Sequence, residues 1–260
     1  MNKQPDRRQI LKGAAATCAA LLLPARTEAT EQALRIAGQR VEIQITPVSQ
    51  YTARLTILPL TNSLEGVQAM PVGGDGSLVQ TSWGAPILKL RTSSAVRTVK
   101  TGNLIVKLSS DPVTFSIETV RGAVVQRLTV DKDTGAVSFI TGDSPLLGLG
   151  EGGPQFDRRG SIDRMRSGQE GFQLRTHGGR VPIPWLIGTA GWAMFIHQPF
   201  GTFDFSGAES KFQPAGPEAV LPLDIFFVAA SEPMTIMAEY ARLTGYAAMP
   251  PLWSFGYQQS

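Results

Sequence analysis

From about residue 33 to residue 145, apolar and polar positions alternate in short runs. Residues 40–46 read Arg-Val-Glu-Ile-Gln-Ile-Thr, with every second side chain apolar. An extended chain turns successive side chains to opposite faces, so this pattern suits an antiparallel strand with one face buried. Residues 52–58 repeat it, and Pro59 is expected to end that strand. Further short strands are predicted over 86–90, 113–118, 123–130 and 136–140. Gly102-Asn103 separates 96–100 from 104–108, a two-residue hairpin signal. Gly73-Gly-Asp-Gly76, Asp111-Pro112, Arg121-Gly122 and Asp133-Thr-Gly135 supply turns. Strands at this spacing, with no helical period between them, predict a mainly β protein built as an antiparallel β-sandwich. The charges in this half are isolated and read as solvated faces without chemistry.

After residue 144 the pattern changes. Residues 145–154 are rich in glycine, but no Gly-Lys-Ser/Thr follows Gly148-Leu-Gly-Glu-Gly152 and no helical period opens after it, which excludes a phosphate loop. The glycines instead mark a strand passing through a tight turn, where φ is positive or backbones approach closely. Residues 156–180 are long, polar and irregular, with five arginines between Arg158 and Arg175 beside Asp157, Asp163 and Glu170. They form either a surface loop laced with ion pairs or a loop that reaches into a polar binding site. Residues 181–188 and 191–197 read as two buried strands around a tight turn, and 199–205 lead into another. The three aromatics there, Phe200, Phe203 and Phe205, suit a sheet core better than a sugar platform. A last apolar strand covers 221–228, and then the period becomes helical. Ser231 offers an N-cap, Pro233 a first turn, Ile236, Met237, Tyr240 and Leu243 an apolar stripe, and Gly245 a stop. Beyond Pro250-Pro251, residues 252–260 read as one new apolar strand.

At 260 residues the chain can hold one large β domain or two small ones. A net charge of +3, with no clustered Lys/Arg stripe after residue 30, excludes a nucleic-acid footprint. The first 29 residues stand apart from the fold. Arg7-Arg8 lie within a twin-arginine motif, residues 13–23 are weakly apolar, and Thr27-Glu28-Ala29 offer small residues for a signal peptidase. This layout predicts export by the twin-arginine pathway, to the periplasm or outside. The apolar run of residues 13–23 is far short of the roughly 20 residues that span a bilayer, so no stable membrane insertion is expected after cleavage. The single cysteine, Cys18, lies inside the signal after a poor lipidation context, which leaves the mature chain without disulfide or thiol chemistry. His177 and His197 are the two histidines, and no third ligand stands at a spacing that would complete a metal site. His197 falls at a strand end and reads as structural. No metal or organic cofactor is implied.

Several segments resemble glycoside hydrolase family 31, which includes α-glucosidases and α-xylosidases. Leu243-Thr-Gly245 followed by Met249-Pro-Pro-Leu-Trp253 and Gly256 resembles that family's entry into its catalytic barrel. Leu147-Gly-Leu-Gly-Glu151 with Arg159-Gly160, Ile183-Pro-Trp185 with Gly191-Trp192 and Phe195, and Asp224-Ile-Phe-Phe227 resemble further family segments, in family order. The resemblance implies a galactose-mutarotase-like sandwich over 30–232, a helix and linker over 233–251, and at 252–260 the first strand of a (β/α)8 barrel that is otherwise missing. It implies a retaining α-glycosidase parent acting on an oligosaccharide or glycoside through two aspartates of the barrel. No residue here matches them, so none is assigned as catalytic and this chain itself is expected to be inactive. The resemblance also implies that the sandwich packs on its own barrel and lends a loop, near 164–180, to the sugar subsite. Arg175 and His177, then Glu170, are the candidate sugar contacts. Two other readings stay open: a stand-alone carbohydrate-binding or mutarotase-like module, in which the two histidines would meet a carboxylate in one cleft, and an interaction module without a sugar site. Trp253, Phe255 and Tyr257 are expected to be exposed, mobile or misplaced in this chain.

Overall fold

The computed structural model of the chain describes residues 32–64, 66–166, 181–198 and 200–256. In chain order the strands are β1 (Arg35–Ile36), β2 (Gln39–Pro47), β3 (Thr52–Ser63), β4 (Gly66–Ala69), β5 (Leu88–Leu90), β6 (Arg97–Thr101), β7 (Leu104–Ser110), β8 (Val113–Thr119) and β9 (Val124–Val130). They continue as β10 (Val137–Ile140), β11 (Leu146–Glu151), β12 (Ile162–Arg164), β13 (Val181–Gly188), β14 (Trp192–Ile196), β15 (Gly201–Asp204), β16 (Glu209–Pro214) and β17 (Leu223–Ala229). One α-helix among the described residues, α1 (Pro233–Thr244), follows.

Two antiparallel sheets form the sandwich. The first runs β1-β2-β3-β17-β14-β13-β11, with β4 on β3 and β5 on β2, and the second runs β12-β15-β16-β10-β9-β8-β7-β6. The alternation read from the sequence decides which side chains lie between them. Val41, Ile43, Ile45, Leu55, Ile57, Met194, Ile225 and Phe227 face inward from the first sheet, and Val106, Leu108, Phe115, Ile117, Phe139 and Phe212 belong to the same buried cluster from the second. Burial of this apolar area is the main drive for the two sheets to meet. Phe203 and Phe205 are in the core, whereas Phe200 is exposed. The expected hairpin is present: Thr101 opposes Leu104 across Gly102-Asn103, and Gly102 has φ +54°.

Several local expectations change. Strand β3 does not end at Pro59, because Pro59 sits where β3 passes from its partner β2, at Val41, to its partner β4, at Leu60–Ala69, and no ladder N–H is needed there. Strand β16 is not legible in the sequence because Phe212 is the one large apolar residue among its buried positions, between Ser210 and Pro214. Strand β12, inside the polar stretch, buries Asp163 rather than an apolar residue. Helix α1 starts at Pro233 with Glu232, not Ser231, at its N-cap, and Gly245 ends it at φ +95°. In place of the strand expected from residue 252, Leu252–Phe255 make one 3-10 turn. A lone extended segment leaves its N–H and C=O groups without ladder partners, so a local turn is the alternative. Leu252, Trp253 and Phe255 are exposed there, as expected, and Tyr257 lies outside the described residues.

Helix α1 covers part of the outer face of the first sheet. Ile236 and Leu243 are buried against Trp185, Ala193, Phe195, Phe226 and Val228, and the Tyr240 and Trp185 rings lie 4.9 Å apart. Glu239 is buried in this contact and accepts hydrogen bonds from Ser49 Oγ at 2.6 Å and Thr52 Oγ1 at 2.5 Å, which tie the helix to the start of β3. Among the described residues, no helix is long and apolar enough to cross a membrane.

Candidate functional site

Glu170, Arg175 and His177 lie outside the described residues. The segment that carries them leaves from β12, on the edge of the second sheet, and re-enters at β13, in the first sheet. The arginines before it divide by role. Arg159 pairs with Asp157 at 2.6 Å near the surface. Arg158 is buried and donates from Nη2 to the carbonyl oxygens of Gly148 (2.8 Å) and Gly152 (3.0 Å). The glycine-rich bend of β11 is therefore fastened by a guanidinium under it, and the sequence shows only the glycines.

The described chemistry gathers on the outer face of the first sheet. Strand register aligns three rows across it. Gln44, Thr56 and Asp224 stand side by side, and the His197 N–H donates to the Asp224 carbonyl at the end of that row. The next row is Thr46, Arg54, Phe226 and Phe195, and a third runs from Thr52 through Val228 to Ala193. Polar side chains occupy the β2–β3 side of this face, and apolar ones lie under α1. The isolated charges of the first half do not all meet solvent: Glu42 and Arg54 are buried, because α1 and residues 71–87 cover this face.

Arg54 and Asp224 form a bidentate pair, Nε to Oδ1 at 2.7 Å and Nη2 to Oδ2 at 2.9 Å. Arg54 also lies 5.1 Å from the Phe226 ring centroid and donates from Nη1 to the Thr81 carbonyl at 3.2 Å. Asp224 Oδ2 is shared with His197 Nδ1 at 3.0 Å. The other ring nitrogen, Nε2, stands 3.1 Å from Asp75 Oδ1 at a poor hydrogen-bonding angle. His197 thus bridges a buried carboxylate and one on the loop above it, which is more than the structural strand-end residue the sequence suggests. Gly73-Gly-Asp-Gly76 reads as a plain turn; no local signal marks Asp75 as the histidine's partner.

Burial, the largest influence on His197, works to lower its pKa, but the hydrogen bond to Asp224 and then the close approach of the Asp75 carboxylate outweigh it and leave it raised above 6.5. For Asp75 burial works to raise the pKa, and hydrogen bonds from the Ser77 hydroxyl and N–H, then the nearby His197 ring, bring it down to about 2. A raised histidine contributes stability that is complete below about pH 6.5 and is lost as pH rises through the folded-state value. A depressed carboxylate contributes above its unfolded value of 3.8, and that contribution is lost as pH falls through about 2. The Tm difference between wild type and His197→Gln should therefore be widest between about pH 4 and pH 6.5 and narrow above that range. A difference that stays constant with pH would show that His197 holds the loop without its charge.

Two clefts flank this cluster. One, of about 630 Å³ including its open mouth, lies between Asp75, Pro182, Phe195, His197 and Tyr240. The other, of about 670 Å³, lies between the β2–β3 surface and residues 71–84. The space inside them is smaller, about 280 Å³ and about 260 Å³, below the usual range of drug-sized ligand sites. Among the described residues, no group of three or more His, Cys, Asp or Glu is placed to hold a metal ion.

Comparison with known proteins now gives this geometry a setting. A model of the twin-arginine translocation pathway signal sequence matches residues 4–24. No curated protein matches the chain. Among solved structures, the chain is similar to a Flavobacterium johnsoniae GH31 dextranase complexed with isomaltotriose, with a TM-score of 0.64 and 16% identity over 84% of this chain and 27% of that one. It is also similar to a cycloalternan-forming enzyme from Listeria monocytogenes in complex with a pentasaccharide substrate, with a TM-score of 0.57 and 18% identity over 82% of this chain and 21% of that one. The chain therefore spans only about a quarter of the length of these enzymes, and at this identity the likeness is one of fold.

Proposed function

We propose that this chain is the N-terminal sandwich portion of a retaining α-glycosidase of glycoside hydrolase family 31, exported by the twin-arginine pathway to the periplasm or beyond. The observation that carries the reading is the likeness of the two-sheet fold, over 84% of the chain, to part of a GH31 dextranase. The order of the sequence segments between 145 and 260 supports it independently. In this reading, residues 30–232 form the domain, 233–251 lead out of it, and the two catalytic carboxylates belong to a barrel that follows. The sandwich packs on that barrel, and the segment around Glu170, Arg175 and His177 contributes hydrogen bonds to a sugar in the subsite. The Asp224 carboxylate is no catalytic candidate, since both its oxygens are held by Arg54 and His197.

The test uses the complete gene product. It should hydrolyse α-glucosides or α-xylosides with retention at the anomeric carbon, and His177→Ala should raise KM or lower kcat/KM. Truncating one polar sugar contact commonly costs about 1–3 kcal/mol, or roughly 5- to 150-fold in kcat/KM. No hydrolysis of either substrate class would overturn the family reading, and an unchanged kcat/KM would remove His177 from the subsite.

A further inference from the structure

We propose that residues 71–78 are a pH-operated strap: the protonated His197 ring holds them on the outer face of the first sheet through Asp75, and loss of that proton releases them while the sheets stay folded. The strap hangs between two anchors. Met70 N–H donates to the Pro59 carbonyl and Val79 N–H to the Leu243 carbonyl at the end of α1, each at 2.9 Å. Between them, residues 73–77 are exposed and form no strand or helix. Asp75 reaches down from this run to His197, whose side chain is only 5% exposed, and Leu78 packs on the apolar cluster under α1. The Asp75 carboxylate also accepts from the N–H and hydroxyl of Ser77, but those bonds shape the turn and do not reach the sheet. A segment with little buried area and no ladder bonds opens locally before the fold does, so its one charged contact with the sheet weighs heavily on it.

The sign of the Asp75 contact depends on one proton. Nδ1 faces the Asp224 carboxylate, an acceptor, at 3.0 Å, which keeps the hydrogen on Nδ1 in both states of the ring. In the neutral ring Nε2 is then a bare lone pair 3.1 Å from an Asp75 carboxylate oxygen, two acceptors face to face. In the protonated ring the same nitrogen carries a hydrogen and the ring a positive charge, so the contact attracts even at its poor hydrogen-bonding angle. Among the described residues, the charged and titratable groups around the ring are Asp75 on the strap, Asp224 on β17, Arg54 on β3 behind Asp224, and the Tyr240 phenol on α1 across the cleft. Strand β13 brings Pro182, Ile183 and Pro184, none of them titratable. Of all these groups and the ring itself, only a histidine ordinarily changes charge between pH 5 and pH 8. The hold is complete below about pH 6.5 and is lost as pH rises through the raised folded-state value of His197. Release widens the cleft that Asp75 and Ser77 wall on one side and Phe195, His197 and Tyr240 on the other. The inference rests on these contacts and stands whether or not the parent protein is a glycosidase.

Hydrogen–deuterium exchange of the full chain at about pH 5.5 and about pH 8.5, either side of the expected transition and corrected for the faster intrinsic exchange in base, tests it. Peptides covering residues 71–79 include the Ser77 and Val79 amides, both hydrogen-bonded in the closed strap. They should lose about three- to tenfold in protection at the higher pH, since one pKa unit of differential interaction is a factor of ten. Peptides from β7 to β9 should keep theirs. Asp75→Asn removes the charge at an exposed position and should give the same protection of the strap at both pH values, and His197→Gln should do likewise. Should His197→Gln not fold, Asp75→Asn decides alone, with Asp75→Glu expected to restore the pH response. Wild-type protection that does not change with pH, a response that survives in Asp75→Asn, or a loss shared equally by β7 to β9 would overturn the proposal.

Discussion

Replacing Asp224 with Ala is expected to destabilise the fold by about 3–5 kcal/mol. The carboxylate is fully buried and neutralises Arg54, whose side chain is only 11% exposed, while it also holds His197 Nδ1. Removing it leaves the guanidinium without a counter-charge in a poorly solvated site, and leaves His197 Nδ1 without its acceptor and Asp75 as its one remaining carboxylate neighbour among the described residues. The loss should appear as a fall in Tm of roughly 10 °C or more. Urea unfolding of Asp224→Ala beside Arg54→Met/Asp224→Leu separates the cause, because removing both charges together should recover most of the loss. A single variant within about 1 kcal/mol of wild type would mean that solvent reaches the pair more freely than the fold allows.

Gly148→Ala is expected to cost about 2–5 kcal/mol, the sum of a left-handed backbone and a forced contact. Gly148 has φ +98°, and a Cβ there would collide with the Trp185 carbonyl oxygen, across the irregular register between Gly148 and Gly150. A side chain would push β11 away from β13 and disturb the carbonyl that Arg158 holds. Gly122→Ala is the matched control, with φ +84° and open space around the added atom. It should show the backbone cost alone, about 1–2 kcal/mol. Equal urea midpoints for the two variants would show that β11 yields without strain.

Much of the candidate site rests on distant partners. Arg54 and Asp224 are 170 residues apart; Arg54 sits in β3 and Asp224 in the nearly continuous apolar run of β17, each with an apolar neighbour on either side. Asp75 lies in a glycine turn, and His197 one residue beyond β14. The pairing of β3 with β17, and of β17 with β14, draws Arg54, Asp224 and His197 together, and the loop between β4 and β5 brings Asp75 to them. Thr56 is equally unmarked, since a threonine on the polar side of a strand reads as a solvated position. The glycine-rich bend is legible as a bend because a positive φ leaves a residue-type signature, whereas the arginine that fastens it does not.

The sequence alone shows that this chain forms antiparallel strands, which side of most of them faces the core, where the one described helix begins and ends to within a residue or two, and that an export signal lies in the N-terminal residues, where the twin-arginine model matches 4–24. Those features are local: period two, period 3.6, turn residues and a leader composition follow from nearest-neighbour geometry and transfer out of water. The tertiary structure decided which strands neighbour one another and that the second face of the first sheet is covered as well. Period-two alternation separates two faces but does not say that the polar one meets water. Once α1 and residues 71–87 lie over it, the same polar residues become a buried charge cluster and the floor of a cleft.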